Sequence, residues 1–175
     1  MLYEILTHTP AWVFGLFALL LWLGAKQLSG RRVGLRRTMA MPVVMIALSL
    51  YGVLSVFSRQ PLAALAWAAA ALVVGFVLVQ RGAPAGTRYD LATRSFALRG
   101  SAVPLALMMG IFFTKYGVGV QVAMHSALTG DPAFALGVSA LYGAFSGAFA
   151  GRALRLWKLA LRGHRAPVAA AGQVA

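Results

Sequence analysis

The sequence has no cysteine. Disulfide frameworks, thiolate metal sites and cysteine nucleophiles are therefore excluded. Acids are almost as scarce: Glu4, Asp90 and Asp131 are the three carboxylates among 175 residues. Paired-carboxylate chemistry needs two acids in one place, and none of these three lies inside an apolar run. Charged residues make up 11% of the chain, against about 25% in an ordinary soluble domain. No Gly-x-Ser-x-Gly elbow occurs. No phosphate-cradling glycine loop precedes a helix either, because Gly117 and Gly119 sit within an apolar stretch and read as packing glycines.

What the chain does have is apolar length. Hydrophobic residues account for 61% of it, and long apolar stretches define a membrane class. Five segments qualify as transmembrane helices: 10–28, 39–57, 61–80, 102–125 and 132–151. Each comes close to the ~20 residues that a helix needs to cross ~30 Å of hydrocarbon. Thr9-Pro10 and Asp131-Pro132 are cap-plus-proline starts, since proline at the first helical position forfeits no hydrogen bond. Gln60-Pro61 marks a tight turn between the second and third spans.

The basic residues sort by connection. Lys26, Arg31, Arg32, Arg36 and Arg37 follow the first span, and Arg81, Arg88, Arg94 and Arg99 follow the third. Arg152, Arg155, Lys158, Arg162 and Arg165 follow the fifth. Arg59 alone lies on the alternate side, and Lys115 falls within a span. Fourteen against one sets the N-terminus outside and the C-terminus in the cytoplasm. Topology thus accounts for a net charge of +13 without nucleic acid. The N-terminal segment has no basic n-region and carries Glu4 ahead of its apolar run, which reads as a retained N-out anchor rather than a cleaved leader.

The expected fold is therefore all-α, an integral membrane bundle of five helices, with a short cytoplasmic β-hairpin between helices 3 and 4. "RYDLA" and "SFALR" alternate polar and apolar residues around a turn. Tyr89, Leu91, Phe96 and Leu98 would form one face against the membrane interface. Such a hairpin either binds lipid or a partner, or simply closes the bundle, and the second reading asks less of it. Residues 152–163 continue the fifth span as a basic amphipathic helix whose Trp157 sits at interface depth, the pattern of a segment on anionic headgroups. Residues 164–175 read as a disordered tail.

Ser139, Gly143, Gly147 and Gly151 recur every four residues, a stripe that admits close approach of another helix. It fits a homo-oligomer, another membrane-protein partner, or an internal contact with the alanine-rich third span.

Lys115 is the residue the topology leaves over. It stands roughly 15 Å from either end of its span at ~1.5 Å per residue, where a lysine costs on the order of 3 kcal/mol. Tyr51 and Tyr142 fall at the same depth, and Thr114 and Tyr116 flank it. Lys115, Tyr51 and Tyr142 form the expected polar layer. It could bind an anionic group or move protons, or it could only order the bundle through hydrogen bonds. With no buried acid as a relay, the ordering role has the simpler support. His8 and His125 lie at the outer ends of spans one and four and are weak candidates for a haem or metal ion. Two interfacial imidazoles are more simply solvated, and no cofactor is expected.

"HTPAWV", the arginine cluster leading to "MAMP", "LRGS" and "IFFTKYGVGV" together resemble a group of short bacterial inner-membrane proteins known as a domain of unknown function. The resemblance covers most of residues 5–150. It implies a multi-pass bacterial membrane protein and supplies no activity, substrate or cofactor. The expected role is a non-enzymatic accessory or structural membrane protein. The alternatives are a small transporter centred on Lys115, and a haem- or metal-binding redox protein using His8 and His125.

Overall fold

The computed structural model describes residues 10–82, 86–90, 93 and 95–171, without the side chains of residues 31, 35–37, 41, 88 and 163–171. Five helices occur in it: α1 (Ala11–Ala25), α2 (Leu35–Val56), α3 (Pro61–Gln80), α4 (Val103–Met124) and α5 (Pro132–Ala171). A short 3-10 turn, Ser126–Gly130, joins α4 to α5. Pro61 and Pro132 open their helices, as proline can where no N–H is needed. Asp131 completes the start of α5 by accepting the amides of Ala133 at 2.8 Å and Phe134 at 3.4 Å.

Four helices are long and apolar enough to cross a membrane, over Thr38–Val56, Pro61–Gln80, Val103–Met124 and Pro132–Arg162. The first is shorter than its sequence suggests. The apolar run 10–28 forms only 15 helical residues, because the chain turns at Lys26, whose amine lies 3.7 Å from the centre of the Trp22 ring. At 1.5 Å per residue α1 is about 22 Å long. The surface is apolar: Leu72 is 73% and Phe76 66% exposed on α3.

The cytoplasmic hairpin expected from sequence is part of a three-stranded antiparallel sheet in the order β1-β3-β2. β2 (Arg88–Asp90) and β3 (Ser95–Leu98) are the two expected strands. β1 (Arg31–Gly34) is not expected from the sequence; it comes from the connection between α1 and α2, pairing Val33 with Phe96. Phe96 is fully buried, and its ring lies 4.9 Å from that of Tyr89. The apolar face of the sheet is turned onto α5. It packs with Tyr89 and Leu98 against Leu156, Leu159 and Ala160 of α5. Leu91 lies outside the described residues.

This contact also says what part of 152–163 faces. As the sequence reads it, the segment continues α5 without a break; the sheet covers its Leu156, Leu159 and Ala160, while Leu154, Trp157 and Leu161 stay exposed. The helix runs on through 164–171, which the sequence reads as tail, and 172–175 lie outside the described residues.

The helices fall into two groups. α3 and α5 share the most extensive contact, and α2 packs on α5. α1 packs on α4 through Phe17 against Phe112 and through Gly24 beneath Leu105. Between the two groups, α4 touches α5 only sparsely.

Candidate functional site

The small-residue stripe faces α3. A Cβ on Gly143 would collide with the Trp67 carbonyl, and one on Gly147 with the Ala71 carbonyl. One on Gly151 would lie 3.0 Å from the Gly75 carbonyl. The partners advance together by four residues, so α3 and α5 run parallel, with backbones close enough that only glycine fits. Ser139, at the end of the stripe nearest the start of α5, is fully buried and its hydroxyl is unpartnered among the described residues.

Beside this seam lies a polar node. Trp67 donates its indole N–H to Ser49 Oγ at 3.1 Å, and Ser49 donates to the Tyr142 carbonyl at 3.3 Å. Ser146 donates to the same carbonyl at 2.9 Å. The node thus ties α2, α3 and α5 together. Sequence reading missed Ser49, Trp67 and Ser146. Ser146 could have been found, since it continues the face of Ser139, Tyr142 and Gly143 at helical spacing.

Lys115 reaches this node from α4. Its Nζ lies over the Tyr142 ring, 5.1 Å from its centre, a cation–π contact. Gly52 on α2 leaves room for the amine, since a Cβ there would come within 3.1 Å of Nζ. Lys115 and Tyr142 are thus brought together. Tyr51 is not: it is 71% exposed and makes no hydrogen bond or ring contact among the described residues. Equal depth set Tyr51 in the expected layer, but neighbouring helical positions point about 100° apart, and it is Gly52 that faces the lysine. Thr114 satisfies its hydroxyl within α4, on the Gly110 carbonyl at 2.7 Å. Tyr116 stacks on Phe112, ring centres 6.2 Å apart. Neither joins Lys115.

His125 is exposed at the end of α4, and His8 lies outside the described residues. Among the described residues, no three histidines, cysteines or acids gather as a metal site would require. At the end away from the sheet, a cavity of about 670 Å³ opens between the α2–α3 turn and the start of α5. Arg59, Gln60, Thr129 and Pro132 help to line it. Gln60 Nε2 donates to the Thr129 carbonyl at 3.5 Å, tying two of its walls together.

A mostly helical chain with an apolar exterior and four membrane-length helices is a multi-pass membrane protein by length and composition. Within that class the chain belongs to a family of unknown function, DUF6622, whose sequence pattern matches residues 1–169. Neither the curated proteins nor the solved structures hold a match to it.

Proposed function

We propose that the chain is a non-enzymatic accessory or structural protein of the bacterial cytoplasmic (inner) membrane, crossing it five times with its N-terminus outside and its C-terminus inside. The observation that carries this reading is the sheet. β1 lies between α1 and α2, and β2 and β3 lie between α3 and α4, yet all three pair in one layer. Both basic connections therefore share one end of the bundle with the basic continuation of α5, which the sheet covers. That concentration of positive charge fits a cytoplasmic face beside anionic headgroups. α1 serves as the fifth crossing; its deficit of length is made up by local bilayer thinning and by Lys26, which extends beside Trp22.

A role without catalysis is supported by the dispersal of ionisable groups. Asp131 caps a helix, Asp90 turns a strand by accepting from Thr93 at 2.8 Å, and Lys115 stands apart from both.

The absence of native cysteine makes the orientation directly testable. A maleimide that cannot cross membranes should label Ser58→Cys in intact spheroplasts, and Thr93→Cys only after permeabilisation. The reverse pattern would overturn the orientation. In native gels of gently solubilised membranes, the 18.5 kDa chain should migrate within a larger complex. Migration as a monomer would overturn the accessory role.

A further inference from the structure

We propose that the α4 face bearing Lys115 is a docking site for a transmembrane helix of another protein, one that carries a carboxylate at mid-depth. Lys115 is twelve residues from Val103 and nine from Met124, so its Cα stands about 18 and 14 Å from the two ends of α4. A cation at that depth is costly unless it meets an opposite charge or water. Its partners inside the chain are incomplete. The Tyr142 ring lies at 5.1 Å, and the amine has no hydrogen bond or ion pair among the described residues.

The lysine is exposed rather than sealed in the bundle. One turn further along the same face, Gly119 is also exposed, and a Cβ there would meet nothing within 4 Å. An amine beside an open glycine gives a helix both a charge to pair with and a surface it can approach closely. Because α4 meets α5 sparsely, this face is not consumed by internal packing.

Charge complementarity selects the occupant. The amine calls for an anion at its own depth, and a carboxylate can accept its hydrogen bonds directly. A second copy of the chain does not supply one: Asp90 lies in β2, Asp131 caps α5, and Glu4 precedes the first apolar run. Lipid phosphates reside at the membrane surface rather than at mid-depth. A different membrane protein, with Asp or Glu near the middle of a span, meets both requirements.

The inference rests on the membrane-embedded accessory reading above. Cysteine labelling tests insertion without any partner helix, so failure here leaves orientation standing. The test uses the full chain in phosphatidylcholine vesicles, with an acceptor dye on Ser29→Cys. The probe is a donor-labelled, leucine-rich transmembrane peptide carrying a central Glu, compared with a twin carrying Leu there. We expect the Glu peptide to bind about tenfold tighter, the scale of interhelical polar contacts in designed peptides. Lys115→Met should abolish the preference while the chain stays folded, and Lys115→Arg should retain it. Gly119→Leu should weaken the Glu peptide by obstruction, with the amine still in place.

Equal binding of the two peptides would overturn the proposal, as would a preference that survives Lys115→Met. Lys115-dependent association of the chain with itself would assign the face to a second copy instead. Loss of the preference in phosphatidylglycerol vesicles would assign the amine to lipid headgroups.

Discussion

Gly147 of α5 lies under the carbonyl of Ala71 so closely that no side chain fits between the two backbones. The same holds one turn earlier for Gly143 and Trp67. Replacing Gly147 with Ile must therefore push α5 off α3, at a cost of about 2 kcal/mol or more. Thermal unfolding in detergent should show a clear fall in Tm with no change in oligomeric state. Gly137→Ala, where a Cβ meets nothing within 4 Å, should leave Tm the same or higher.

The hydroxyl of Ser49 accepts from Trp67 and donates to the Tyr142 carbonyl. Ser49→Ala strands the indole N–H within the bundle. Measured interhelical hydrogen bonds in membranes average about 0.6 kcal/mol, so a loss of that order is expected. A double-mutant cycle with Trp67→Phe provides the check. The two losses should fall short of additivity by about the same amount.

Phe96 anchors the sheet to α5 and is completely buried. Phe96→Ala should cost the sheet about 3–5 kcal/mol of local stability. Amides of β1, β2 and β3 should then exchange with deuterium faster, while those of α3 around Trp67 and Ala71, held against Gly143 and Gly147, keep their protection. Equal acceleration in α3 would mean that the sheet supports the whole bundle.

Lys115→Met removes a charge whose insertion costs on the order of 3 kcal/mol and whose one aromatic partner among the described residues is the Tyr142 ring. The isolated chain should unfold at the same temperature or a higher one. A large fall in Tm would make the lysine a structural tie instead.

The helices were legible in the sequence because apolar length is a local property. Pro61 and Pro132 marked the starts of α3 and α5. The end of α1 was not, since the turn at Lys26 lies inside a run that hydropathy reads as continuous. β1 was hidden for a different reason. "RRVG" is four residues in a basic cluster, and it becomes a strand only by pairing with residues more than 60 positions later. The destination of the Phe96 face was equally non-local, because it depends on meeting Leu156, Leu159 and Ala160 some 60 positions later. At the candidate site, depth along a span could be counted, and that paired Lys115 with Tyr142. Rotation about the helix could not, which is why Tyr51 entered the expected layer and Gly52 did not. Ser49 was missed because it and Ser55, six residues apart in an apolar helix, carry no shared periodic signal.

The strand order β1-β3-β2 has a consequence for how the chain is made. β1 leaves the ribosome before α2 and α3, and its partner β3 only after them. The two can meet only if they emerge on the same side, which requires an even number of crossings between them. A chain that fails to insert just one of α2 and α3 leaves the two strands across the bilayer from each other. Sheet closure is in this sense a parity check on translocation, failed whenever one of the two intervening helices has crossed without the other.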